Sequence, residues 1–213
     1  MNNKYTIKYL PQVDFTTTWQ EMKNFTEQRD ENTLDQFWVL EHNPVFTLGQ
    51  AGLESHILYR EHQIPIIKTD RGGQVTYHGP GQIVIYTLID IKRLNISIRC
   101  LVEKLENGII SYLKSKNINA NGDRNAPGVY VNNKKIASLG LKVRKGFTYH
   151  GISFNYNLDI TPFNYINVCG YKGLQVITLA ELIETANIQK AKEELVHAII
   201  DNIYSTTINS CKQ

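Results

Sequence analysis

Apolar residues recur at helical spacing in three stretches of this chain, and between them they gather into short runs of extended character. Phe15, Trp19, Met22 and Phe25 fall three or four positions apart across residues 14–29, which predicts an amphipathic helix packed on a sheet. Ile98, Leu101, Val102, Leu105, Ile109 and Leu113 repeat that period and predict the clearest helix of the chain. Leu179 to Ile183, and then Leu195, Ile199 and Ile203, carry it again towards the carboxyl end.

The extended runs begin with residues 36–41, which end at His42-Asn43-Pro44, and continue with residues 45–48, closed by Gly49. Residues 64–68 contain Pro65, which lacks a donor and so marks an edge strand or a strand start. Residues 82–89 are apolar throughout and predict a buried central strand. Residues 128–131 and 134–140 flank Asn132-Asn133, a pair that tolerates the positive φ of a two-residue hairpin turn. Residues 147–157 predict another strand and residues 159–162 a turn. The irregular alternation, with hairpins, points to an α/β (α+β) fold: a mixed β-sheet backed by helices on one side. No Pro/Gly/Ser-rich linker or repeat divides the 213 residues, so the expectation is one domain, 1–213.

Composition narrows the function classes. The chain is 42% hydrophobic and 20% charged with a net charge of +3, a basic excess too mild to argue for nucleic acid but compatible with acidic protein partners. Met1 to Tyr5 hold no apolar signal core, and no run is long enough to span a bilayer. Cys100, Cys169 and Cys211 form no metal-ligand spacing, and their odd number suits a reducing compartment. The expectation is a cytoplasmic protein with no membrane, metal or cofactor.

Three stretches could carry chemistry. Residues 71–81 are the most glycine-dense, yet they lack both the Gly-Lys-Ser/Thr ending of a phosphate loop and the spaced glycines of a dinucleotide site. Arg71, Gln74, Thr76, Tyr77 and His78 project from this side-chain-poor wall, which suits a ligand lying against backbone amides. His78, His150 and His42 are each a conceivable base for a cysteine, although a lone loop histidine is more often structural. Lys134 and Lys135 alternate in a strand, which puts Lys135 on one face with Ala137 and Lys134 with Ile136. A lysine buried there needs a negative partner, and a thiolate is one. Cys169 precedes Gly170 in a segment without helical period; it is read either as a small buried hydrophobe or as a nucleophile with room for an acyl group beside it.

With these residues in view, the chain resembles the bacterial octanoyltransferases of lipoate biosynthesis, within the wider biotin/lipoate protein ligase catalytic-domain family. The resemblance rests on Arg71-Gly72-Gly73-Gln74-Val75-Thr76-Tyr77-His78-Gly79-Pro80-Gly81-Gln82, on Gly128-Val129-Tyr130-Val131 through Lys135-Ile136-Ala137-Ser138-Leu139-Gly140, on His150-Gly151-Ile152-Ser153-Phe154-Asn155 and on Asn167-Val168-Cys169-Gly170. It implies a catalytic pair, Cys169 and Lys135, and an acyl chain lying against residues 71–78 (Arg71, Gly72, Gly73, Gln74, Val75, Thr76, Tyr77, His78), Ser138, Leu139, Gly140, Gly151, Ile152 and Ser153. Tyr77, Leu139 and Ile152 are expected to line the apolar slot. Val168 stands where the family usually has proline, which leaves the turn before the sulfur freer.

The resemblance further implies transfer of an octanoyl group from octanoyl-acyl carrier protein to a lysine of lipoyl domains, those of 2-oxoacid dehydrogenase complexes and of the glycine cleavage H protein. Its course would be a cysteine thioester, without ATP. Lys142, Arg144, Lys145 and Lys172 are the expected docking charges for acidic partners. Alternatives are an ATP-dependent lipoate ligase, an octanoyl transferase between lipoyl domains, and a non-catalytic carrier-protein-binding module. At ~0.8 kcal/mol per buried methylene, chain-length choice should be graded unless the slot has a hard floor.

Overall fold

The extended runs assemble into two sheets in the computed structural model of the protein, which describes residues 4–60 and 63–205. In chain order the elements are β1 (Tyr5–Val13), α1 (Phe15–Gln28), β2 (Asp35–His42), β3 (Val45–Leu48), β4 (Ile66–Lys68), β5 (Val75–His78), β6 (Gln82–Leu88), α2 (Ile98–Ser115), β7 (Asn121–Gly122), β8 (Gly128–Val131), β9 (Lys134–Arg144), β10 (Phe147–Asn155) and α3 (Ile188–Tyr204). The larger sheet runs β1-β2-β6-β10-β9-β8-β7 and is antiparallel except for β1 with β2. The smaller runs β4-β3-β5. Cys211 lies outside the described residues.

Each helix begins where a side chain accepts from an otherwise unpaired backbone N–H: Asp14 from Thr17, Ser97 from Cys100 and Asn187 from Lys190. Along β2, β6 and β10, Phe37, Val39, Ile83, Ile85, Ile152 and Phe154 point to the face covered by α2 and α3. The intervening Trp38, Leu40, Val84 and Tyr86 meet Met22 of α1 on the other face. The sheet is therefore mixed and helix-backed as expected, but with helices on both faces rather than one. The reason lies in β6, buried at every position: a strand apolar on both sides needs cover on both.

The smaller sheet has its own core of Phe46, Leu48, Val75, Tyr77, Phe163 and Ile166, to which Val168 belongs. Pro65 does precede an edge strand, β4. Asn132 and Asn133 adopt φ of 50° and 62°, as the hairpin turn demands. Other elements depart from the pattern. Part of the glycine-rich stretch is strand β5, and residues 179–183 hold a single 3-10 turn, Leu179–Glu181, before α3. β1 went unforeseen because its positions are mostly half-exposed or exposed and show no clean alternation.

Candidate active site

Lys135 is the second residue of β9, and its position depends on a break in strand alternation. Tyr130 pairs with Lys135 and Val129 with Ala137, so Ile136 is an extra residue, a β-bulge. Ile136 and Ala137 both enter the α2/α3 core, while Lys135 and Ser138 both reach a cavity on the other side. The expected sharing of a face by Lys135 and Ala137 does not occur, because the bulge resets the period. The backbone of Lys135 donates to Gln175 O and its carbonyl accepts from Ile177, which ties the segment after Cys169 to β9.

Cys169 sits in a 3-10 turn, Val168–Gly170, at φ 53° and ψ 20°, followed by Gly170 at φ 80°. A left-handed conformation costs a non-glycine residue roughly 1–2 kcal/mol and persists only where the surroundings enforce it. Here Gly170 N–H donates to Asn167 O, Tyr171 N–H to Val168 O and Asn167 N–H to His56 O. Val168, in place of proline, is buried in the small-sheet core, so packing supplies restraint at that position.

The bulge and the turn bring Lys135 Nζ to 3.4 Å from Cys169 Sγ. Nζ also donates to Pro127 O at 3.1 Å and lies 5.1 Å from the Tyr130 ring. Burial pushes the Lys135 ammonium down, but the sulfur and Tyr130 more than offset it, so the net shift is upward and the lysine stays charged at neutral pH. Cys169 is a free, half-buried thiol.

The pair stands in a cavity of about 550 Å³ between the two sheets, well within the range of small-molecule sites. Its roof is the loop of Arg71, Gly72, Gly73 and Gln74, docked on the free edge of β9 by Gly72 N–H to Leu141 O at 3.0 Å. Arg71 is buried and stitches that loop together through Thr47 O, Gln74 O and Gly72 O. Burial lowers it to about 10, with Cys169 acting against the fall, so it remains a cation. Val75, Thr76 and His78 continue the wall, and Ser138, Leu139, Gly140, Gly151, Ile152 and Ser153 of β9 and β10 complete it.

Tyr77 is the exception among the expected acyl-contacting residues. Alternation along β5 sends Thr76 and His78 to the cavity and Tyr77 into the small-sheet core beside Phe46 and Phe163. Of the expected docking charges, Arg144 and Lys145 both pair with Glu27, whereas Lys172 is exposed beside the Cys169 turn.

Phe15, Val84 and Tyr86, which the sequence pattern does not single out, line the cavity opposite the Lys135 end together with His150. Tyr86 Oη lies 2.6 Å from His42 Nε2. His150 is a strand residue at φ 60°, which flips it to the same side as Tyr149. Both then donate to Asp70, His150 at 2.9 Å, with Trp19 Nε1 a third donor at 2.8 Å. Burial works to raise Asp70, but those donors win and hold it well below the usual carboxylate range. Burial holds His42 down to about 4 and His78 to about 3; it lowers His150 as well, and Asp70 only partly offsets it. None of the three hydrogen-bonds to the sulfur. His78 and His150 are neutral wall residues, and His42 lies behind them against Tyr86 and His78.

Residues 14–200 match the lipoyl protein ligase A/B catalytic domain model. Octanoyltransferase from Nitrosomonas europaea is 54% identical over 177 residues, covering 83% of this chain and 86% of its own. That from Aliivibrio fischeri is 49% identical over 199 residues, covering 93% and 88%. In three dimensions a putative lipoate protein ligase from T. acidophilum superposes with a TM-score of 0.77 at 12% identity, over 94% of this chain and 86% of its own. Biotin protein ligase from Aquifex aeolicus does so at 0.60 and 15% identity, over 96% and 73%, a likeness of fold. The fold and the length and level of these matches make this chain a member of the lipoyl protein ligase A/B catalytic-domain family.

Proposed function

We propose that this chain is an octanoyltransferase acting as a single cytoplasmic catalytic domain. It takes an octanoyl group from octanoyl-acyl carrier protein and passes it to a lysine of lipoyl domains, those of 2-oxoacid dehydrogenase complexes and glycine cleavage H protein. The relatives' activity supports the chemistry. The observation that carries the route is the Lys135 ammonium 3.4 Å from a free thiol inside the cavity.

In the first step the Cys169 thiolate, paired with the adjacent ammonium, attacks the thioester carbonyl. The C–S bond to pantetheine breaks, and Lys135 gives its proton to the departing sulfur. In the second, the neutral lysine amine of a lipoyl domain attacks octanoyl-S-Cys169. Lys135 accepts the proton that the amine loses, and the Cys169 thiolate leaves. Thioester to thioester is near balance and thioester to amide runs downhill, so the sequence needs no ATP. Backbone amides near Cys169 and the residue 71–74 loop are available to the oxyanion, where losing one donor typically costs ~3 kcal/mol.

The test is intact-mass spectrometry after mixing with octanoyl-carrier protein. One octanoyl group is expected, released by hydroxylamine and absent in Cys169→Ser. Label anywhere other than Cys169 would move the site. Transfer that proceeds only with ATP would make the chain a ligase, and transfer only from an octanoylated lipoyl domain would change its donor.

A further inference from the structure

Two rows of side chains cross the larger sheet under the cavity. Strand registers align Leu40, Val84, Ser153, Ser138 and Gly128 in one, and Trp38, Tyr86, Gly151 and Gly140 in the next. The rows hold only serine and glycine over β10 and β9 and turn bulky at β6. A Cβ on Gly128 would lie 3.0 Å from Lys135 Nζ, so the Lys135–Cys169 pair marks the Gly128 end. Over the first row the result is a shallow trough that starts at the sulfur and ends against Val84, with Tyr86 beside it on the cavity wall; over the second row the roof loop rests on Gly140, where an added Cβ would lie 3.1 Å from Gly72 O.

We infer that Val84 and Tyr86 are the length stop for the acyl chain, a specificity role that rests on the octanoyl-transfer reading of the same cavity. From Gly128 to Val84 is three inter-strand spacings, about 14 Å. Stopping one carbon–carbon contact of ~4 Å short of Val84 leaves about 10 Å. Bonds of ~1.52 Å at angles near 111° advance an extended chain by ~1.25 Å each, so the seven C–C bonds of an octanoyl group span about 9 Å. Eight carbons fill the trough and ten overrun it.

The stop is rigid. Tyr86 is held by His42, whose Nδ1 lies 3.1 Å from Val13 O. Phe15 stacks on His78, which Gln82 Oε1 holds at 2.7 Å from Nδ1. Val84 and Tyr86 are themselves 1% and 4% exposed, packed with Met22, Trp38, Leu40 and Leu88 on the side away from the cavity. A second limb of the cavity runs past Pro127 towards Ile98 and Val102 of α2, where Ile98 is exposed. A chain entering that limb would meet solvent rather than a wall and show no sharp upper limit.

The test is single-turnover acylation of Cys169 by acyl-pantetheine thioesters of six to fourteen carbons, read by intact mass. In the unaltered protein the rate is expected to fall about fourfold per methylene removed below eight. It should fall about 100-fold on adding two. Val84→Ala should move the optimum up by one or two carbons and Val84→Ile move it down, with thermal melting confirming that each is folded. A profile graded on both sides in the unaltered protein overturns the length stop even if neither variant folds. So do an optimum unmoved in both folded variants, and an optimum that moves in Val102→Phe but not at Val84. If no thioester acylates Cys169, the octanoyl-transfer reading itself has failed; acylation with the wrong profile removes only the length stop.

Discussion

The two ends of the cavity are built from opposite materials. At one end Lys135 and Cys169 sit on a bulge and a tight turn, with a charge beside a half-buried thiol. At the other, Phe15, Tyr86, His42, His78 and His150 form a packed group of rings whose histidines are kept neutral by burial. A reacting group has to meet its substrate and change its charge, so it occupies backbone that breaks regular structure. A wall has only to stay put, so it is assembled from buried side chains that hold one another. Damage at the first end should therefore appear in rate, and damage at the second in stability and acyl selectivity.

The largest expected effect is at the sulfur. Cys169→Ser should remove the acyl adduct and lower transfer by at least about 10⁴-fold with little change in melting temperature, measured by intact mass and thermal denaturation. Equal losses of activity and stability would erase the contrast between the ends. Lys135→Ala should slow acylation by roughly 10²–10⁴-fold. Because the Lys135 shift is upward from 10.5, the unaltered protein should show no loss attributable to that lysine until above that value. A stopped-flow pH profile of both proteins checks this.

The wall should answer to acid instead. His42 and His78 titrate near 6.5 when unfolded but at about 4 and about 3 when folded, so only the unfolded chain takes up protons between those values. Their contribution to stability is complete above pH 6.5 and is lost as pH falls towards 4, roughly 2 kcal/mol for each histidine by pH 5. Urea denaturation at pH 7 and pH 5 measures it, and equal midpoints would mean that the rings are not held neutral. The smallest expected effect is Tyr86→Phe. It strands buried His42 Nε2 without its partner and should lower stability by about 1–3 kcal/mol. A loss of sharpness at the long-chain limit in the same variant would tie the hydrogen bond to selectivity.

Much of this architecture was legible in residue order. The helical stripes of α1 and α2, the β8–β9 turn at Asn132-Asn133 and the apolar run of β6 each follow from short-range rules, and the observed elements match them within a few residues. The glycine-rich loop and Cys169-Gly170 were recognisable as places of backbone freedom, and both border the cavity. Three features escaped, each where local pattern gives way to context. β1 is a strand because β2 offers it a partner. Lys135 and Ser138 share a side because Ile136 bulges. Tyr149 and His150 share one because His150 is left-handed.

Residue order alone determined the chemistry available: a thiol beside a glycine, a lysine in an apolar strand, and a side-chain-poor loop able to approach a ligand. Only the tertiary structure decided which groups meet, that Tyr77 turns away from the cavity while Val84, Tyr86 and Phe15 close it, and that helices cover both faces of the sheet. The physical reason is one of range. Helical and strand periods are set by neighbours a few residues apart. The 3.4 Å contact between positions 34 residues apart depends on strand register, on a bulge, and on the hydrogen bonds from residues 175–177 that hold the Cys169 segment against β9.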